Sequence, residues 1–229
     1  MEGFDLIIFD CDGVLVDSEI IAAEVESRLL TEAGYPIGAE EMGERFAGMT
    51  WQNILLAIER EASIPLSASL LDKSEKLLDA RLASDVKIID GVKLMLSRIR
   101  KPYCICSNSA SHRLDMMLSK VGLRQIFAPH IYSAKDLGDD RVKPKPDIFL
   151  HGAKQFGADP SRTLVIEDSV HGIAGARAAG MRVVGFTGAS HTSPSHADRL
   201  TEAGAETVIS RMSELPSVIE ALADWREAI

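Results

Sequence analysis

A chain of 229 residues with 46% apolar and 26% charged residues can bury one large core or a core with a smaller attachment, which excludes a disordered chain. Its formal charge of −9 excludes a protein-wide attraction to nucleic acid or to an anionic membrane. It does not exclude an anionic substrate, because one metal ion or lysine can invert the field inside a cleft.

The three cysteines, Cys11, Cys104 and Cys106, form no CxxC pair and so supply neither a disulfide framework nor a zinc site. They read as small core hydrophobes, a usage that fits a reducing cytoplasm. The apolar run 6–9 is too short for a signal peptide and is bounded by Asp5 and Asp10. No stretch approaches the length of a membrane span, so a cytoplasmic protein is expected.

In chain order, the continuous apolar run over 4–9 predicts a buried strand with Asp10-Cys11-Asp12-Gly13 at its carboxyl end. From 18 to 83 the pattern turns helical. Ile20, Ile21, Val25, Leu29 and Leu30 recur at helical spacing before Gly34 and Pro36 end that segment. Ile54, Leu55 and Ile58 share one face of a helix predicted over 51–61, and Leu70, Leu71, Leu77, Leu78 and Leu82 mark a third over 68–82. No strand pattern interrupts them, so 18–83 is predicted to be a small all-helical domain.

After Lys87 strands alternate with helices. Helices are predicted over 90–100, 114–121, 147–156 and 170–179, and strands over 103–107, 131–133, 163–167, 182–186 and 207–209. The polar stretch 188–195 is a loop with no assigned role. Such alternation predicts an α/β protein, a Rossmann-like parallel sheet flanked by helices, built from 1–17 and 84–229.

Open parallel sheets bind ligands at the carboxyl ends of their strands. Asp10 and Asp12 stand at one such end, Ser107-Asn108-Ser109 at a second and Glu167-Asp168-Ser169 at a third, with Lys143-Pro144-Lys145-Pro146-Asp147 between them. Converging carboxylates need a cation, and a hard oxygen site with room for waters suits Mg²⁺. Each element has a bland alternative. The aspartates and serines are also turn formers and helix caps, and Lys143 could be a solvated surface lysine. The set, in order along one rim, is what points to chemistry.

On those residues the chain resembles the haloacid dehalogenase superfamily, in the branch with a helical cap inserted after the first strand. Phe9-Asp10-Cys11-Asp12-Gly13-Val14-Leu15-Val16-Asp17-Ser18-Glu19 matches that family's first motif. Ser107-Asn108 matches the second, Lys143 to Asp147 the third, and Glu167-Asp168-Ser169 with Gly172 the fourth. The resemblance implies that Asp10 is a nucleophile forming an aspartyl-phosphate and that Asp12 is the general acid and base. It implies that Asp12, through its carbonyl, joins Asp10, Asp168 and Glu167 in or near a Mg²⁺ site. Ser107 and the Asn108 amide would hold phosphoryl oxygens, and Lys143 would neutralise charge.

The implied cap is 18–83, with Glu19, Gly48, Met49, Thr50 and Trp51 as substrate-reading positions. The implied function is Mg²⁺-dependent hydrolysis of a small phosphorylated metabolite, a sugar phosphate or sugar-acid phosphate, by a monomer or small homo-oligomer with no nucleic-acid or membrane partner. The 6-phosphogluconate phosphatases lie nearest, by Phe9 to Gly13 and by Arg45-Phe46 before Gly48. The alternatives are a mutase of the β-phosphoglucomutase type and a non-catalytic regulatory protein of the same fold. Ala22 and Trp51 stand where that mutase carries a histidine and an arginine, which weighs against it.

Overall fold

In the computed structural model, which describes residues 3–46, 51–62 and 69–224, one six-stranded sheet carries the molecule. Its strands are β1 (Leu6–Phe9), β2 (Tyr103–Ser107), β3 (Ile131–Ser133), β4 (Thr163–Glu167), β5 (Arg182–Phe186) and β6 (Thr207–Ile209), in the order β3-β2-β1-β4-β5-β6. Every pairing is parallel, as the strand–helix alternation predicts. Central β1 is buried along its whole length, which is why its sequence is a continuous apolar run rather than an alternating one.

The helices are α1 (Glu19–Glu32), α2 (Ala39–Arg45), α3 (Trp51–Ala62), α4 (Ser69–Asp85), α5 (Val92–Arg98), α6 (Ser111–Val121), α7 (Arg124–Phe127), α8 (Asp147–Phe156), α9 (Val170–Ala178), α10 (His196–Glu202) and α11 (Leu215–Asp224). Alternate β1 side chains point to opposite layers. Ile7 and Phe9 pack with Met95 of α5, Leu114 of α6 and Ile219 of α11. Leu6 and Ile8 pack with Phe149 of α8, Ile173 of α9 and Leu200 of α10. Cys11, Cys104 and Cys106 are free, buried thiols in these layers.

Helices α1–α4 form the cap. Leu30, Ile37, Met42, Phe46, Ile54, Leu55 and Ile58 make a core of its own, separate from the two sheet layers. Ile21 of α1 and Leu82 of α4 instead join the sheet's core and so fasten the cap to it. The chain leaves and re-enters the sheet side by side: Asp17 N–H donates to the Lys87 carbonyl at 2.9 Å and Ile89 N–H to that of Leu15 at 3.0 Å. Among the described residues no helix is long and apolar enough to cross a membrane.

Several element bounds differ from expectation. Helix α2 has a single large apolar residue, Met42, in Ala39–Arg45 and thus no periodic stripe to read. The helix expected over 90–100 is shortened to Val92–Arg98, because Gly91 enters it at φ +82° and Ile99 is already extended. Helix α4 runs on to Asp85, three residues past the predicted end, and α7, α10 and α11 lie where no helix was predicted.

Candidate active site

Four loops meet above the carboxyl ends of β1, β2 and β4, and a cleft of about 380 Å³ lies between them and the cap. At its floor Lys143 is 6% exposed, and its ammonium bridges two carboxylates. It donates to Asp10 Oδ1 at 2.5 Å and to Glu167 Oε1 at 2.7 Å. Burial alone pulls a lysine down, but Asp10 and Glu167 outweigh it and hold Lys143 well above its ordinary range, so it is charged. Asn108 aims that lysine: its Oδ1 accepts the Lys143 N–H at 2.9 Å and its Nδ2 donates to the Lys143 carbonyl.

Asp10, Glu167 and Asp168 each offer a carboxylate oxygen, all within 4.8 Å of one another and all buried. Burial, then its acidic neighbours, pushes Asp10 well up despite Lys143. Burial, followed by Glu167, Asp10 and Glu19, does the same to Asp168. One ammonium against three buried carboxylates leaves an uncompensated charge, and all three donors are hard oxygens. The cluster therefore fits a hard divalent cation. The side chain of Asp12 lies outside the cluster.

Two glycines permit this crowding. Gly13 has φ +70°, and a Cβ there would stand 1.8 Å from Asp168 Oδ2. A Cβ on Gly172, in the first turn of α9, would stand 1.7 Å from Glu167 Oε1. Glu167 Oε2 in turn accepts from the Ser169 N–H at 2.8 Å and from the Ser169 hydroxyl at 2.9 Å.

Asp12 has different surroundings. Its Oδ1 accepts the Ser18 hydroxyl at 2.7 Å, and its Oδ2 accepts those of Ser109 at 2.8 Å and Ser107 at 3.2 Å. Three hydroxyls hold the carboxylate at the cleft without neutralising it.

The loop 188–195, read from the sequence without a role, reaches the site. His191 Nε2 lies 3.4 Å from Asp168 Oδ2. His196 Nε2 donates to the Asp168 carbonyl at 2.6 Å. Burial pushes His191 down to about 4 and His196 below its ordinary value, with Arg199 adding to both, so both imidazoles are neutral at pH 7. Ser190 anchors the loop through its N–H to Asp17 Oδ1 at 3.1 Å.

Of the expected substrate-reading residues, Glu19 lines the cleft. It is accessible through the cleft mouth yet walled by protein, and this confinement, with Asp12, Glu26 and Glu167 nearby, pushes its carboxyl up to about 8. Trp51 packs against the cap's own core and does not line the cleft. Gly48, Met49 and Thr50 lie outside the described residues. Arg45 turns away to the surface, paired with Glu41 and Glu61 at 3.0 and 2.9 Å.

Sequence reasoning missed Ser18, Ser109, Arg113, His191, His196 and Arg199, all of which line the cleft or the cavity continuous with it. Ser18 and Ser109 sit inside or beside the motifs already marked. His191 follows the carboxyl end of β5, and the rule that points to strand ends could have flagged it.

A Rossmann-like sheet with a helical cap over this cluster defines a class of hydrolases. The model of the haloacid dehalogenase-like hydrolases matches residues 4–180, and the chain belongs to that family. The chain is 28% identical to the 6-phosphogluconate phosphatase of Escherichia coli over 222 residues, 96% of this chain and 97% of that protein. A conserved haloacid dehalogenase-like protein of Agrobacterium tumefaciens shares 83% identity and superimposes with a TM-score of 0.94, covering 96% of this chain and all of that one. A family hydrolase of Deinococcus radiodurans, solved with bound phosphate and sodium, shares 34% identity at a TM-score of 0.82 over 96% and 97% of the two chains. The chain is an enzyme of the phosphatase type, and enzymes of this kind generally use a divalent metal.

Proposed function

We propose that this enzyme hydrolyses phosphomonoesters of sugars or sugar acids through a covalent intermediate on Asp10, with Mg²⁺ as cofactor. The observation that carries the proposal is Asp12: a carboxylate cradled by three hydroxyls, lining the same cleft as Asp10. Cleavage of an ester with a poor alkoxide leaving group needs a proton donor at that place, and a binding protein does not.

Asp10 attacks phosphorus, a bond forms from its carboxylate oxygen, and the P–O bond to the sugar breaks. The leaving oxygen takes the proton of Asp12. A water then gives its proton back to Asp12 and attacks the aspartyl-phosphate, which releases inorganic phosphate and restores Asp10. Ser107 and the backbone amide of Asn108 hold phosphoryl oxygens. Lys143 supplies positive charge where negative charge gathers in the transition state. Asp10, Asp168, Glu167 and the Asp12 carbonyl would hold the metal, which supplies further charge neutralisation when bound. Glu19, which lines the cleft, would face the leaving group from the cap.

The experiment is phosphate release from a sugar phosphate and from p-nitrophenyl phosphate, with Mg²⁺ and with a chelator, for the enzyme and for Asp12→Asn. The variant is expected to lose roughly 10²- to 10⁴-fold in kcat on the sugar ester and less on the nitrophenyl ester, whose leaving group needs no proton. Equal turnover by the variant and the parent on the sugar ester would overturn the mechanism. Faster isomerisation than hydrolysis of a sugar 1-phosphate would replace it with a mutase.

A further inference from the structure

The cleft above Asp10 is continuous with a second, larger cavity of about 520 Å³ between core and cap, within the range that holds small metabolites. Asn108, Lys143, Asp168 and Glu19 line both, so a phosphoryl group at Asp10 directs the rest of its ester into this space.

The walls of that space are chemically unequal. On the cap side stand Glu19 and Glu26 of α1, then the apolar Met42, Phe46 and Ile54. On the core side stand His171, His191, His196 and Arg199. Arg199 is half-buried, and its guanidinium has no hydrogen-bond or ion-pair partner among the described residues. Arg113, the arginine of the adjoining cleft, is by contrast tied to Asp79 at 2.7 Å. Beside Arg199 lies His196, 6% exposed, whose Nδ1 is buried without a partner while its Nε2 is engaged by Asp168. An unpaired guanidinium partly withdrawn from water is unfavourable until an anion meets it, and its planar fork matches a carboxylate.

The substrate's phosphoryl group is accommodated at the other end, beside Lys143. The geometry points to Arg199 as the receptor of a carboxylate at the far end of the substrate, so that the enzyme selects phosphorylated sugar acids over neutral sugars of the same length. Glu19 and Glu26, across the cavity, take the hydroxyls between. A second phosphate fits less well, since a dianion would have one guanidinium to meet it and two carboxyls opposite. This assignment rests on the phosphatase function proposed above and names the substrate class of the same site.

The test compares kcat/KM for 6-phosphogluconate and sorbitol 6-phosphate, open-chain esters that differ only at the far end, in the parent enzyme, in Arg199→Gln and in Arg199→Lys. The parent is expected to prefer the acid by about tenfold or more, the glutamine variant to lose that ratio, and the lysine variant to recover part of it. Free gluconate is expected to inhibit p-nitrophenyl phosphate turnover by the parent at about a tenth of the concentration at which sorbitol does, a readout that needs no variant. Equal handling of the two esters by the parent, an unchanged ratio in Arg199→Gln, or equal inhibition by gluconate and sorbitol overturns the assignment while leaving the phosphatase standing. Absence of p-nitrophenyl phosphate turnover in Mg²⁺ overturns the phosphatase itself.

Discussion

The rim of the sheet and the inner wall of the cap enclose one cavity, but they hold their charged groups in opposite ways. On the rim Lys143 and Asp12 are each pinned by several partners. Lys143 lies between Asp10 and Glu167, and Asp12 sits among three hydroxyls. On the cap wall, Glu19 and Glu26 have no hydrogen-bond or ion-pair partner among the described residues, and their carboxyls rise to about 8 and about 7 chiefly through confinement. A pinned group performs one reaction with little tolerance for change. An unpinned group leaves its hydrogen-bonding capacity to whatever ester enters. The contrast explains how a fixed phosphoryl chemistry can serve different leaving groups.

The strongest way to break this comparison is to remove the rim's buried cation. In Lys143→Met, Asp10, Glu167 and Asp168 face one another with no ammonium between them. The expected result is a loss of about 10³-fold or more in kcat and about 3–5 kcal/mol in stability measured with a chelator present. Asp10 and Asp168 already titrate high, so lowering the pH protonates them and relieves their repulsion. The stability deficit should therefore shrink from pH 8 to pH 5, as urea denaturation at the two pH values can check. A deficit independent of pH would mean that the rim is not charge-strained.

A smaller effect follows from Gly13→Ala. The backbone there is left-handed, and the new methyl would meet Asp168 Oδ2. The strain costs about 1–2 kcal/mol. Displacing Asp168 should raise the half-saturating Mg²⁺ concentration about 10- to 100-fold with a smaller change in kcat at saturation. A Mg²⁺ titration of phosphate release separates the two, and an unchanged half-saturation point would show that Asp168 does not set metal affinity.

The same contrast governs what the sequence revealed. Asp10, Asp12, Ser107 and Asp168 were legible because each stands at or near a strand end, where backbone topology alone converges side chains from distant segments, whereas Lys143, in the loop between β3 and α8, was legible through the family motif it matches. All six strands were legible too: the buried inner strands as apolar runs, and the half-buried edge strands β3 and β6 through the strand–helix alternation. The cap helices α1, α3 and α4 showed through their stripes, whereas α2, with Met42 its one large apolar residue, had none. His191, in the loop after β5, was open to the strand-end rule but went unread, and His196 and Arg199 were not legible. They come from a polar loop and the short helix α10 after it, and nothing local predicts that Ser190 ties the loop to Asp17 and turns it over Asp168. Such a contact depends on tertiary packing between residues far apart in the chain.

The finest test lies on the cap wall, at Glu26. Its carboxyl is partly buried and raised to about 7, above the roughly 4.3 of a free glutamate. Between those pH values the folded protein keeps a proton that the unfolded chain has released, so stability falls as pH rises from about 4 to about 7 and is level above that. Glu26→Gln removes the titration. The variant should match the parent at pH 4 and exceed it above pH 7.5 by on the order of 1–2 kcal/mol, less than the full shift because the open cavity admits water. Denaturation curves at pH 4 and pH 8 measure this directly. Equal differences at both would mean that Glu26 behaves as an ordinary surface glutamate and that the cap wall is not strained by confinement. A gain seen only at high pH would show that the enzyme keeps a destabilising carboxyl opposite Arg199, where a substrate's hydroxyls can use it.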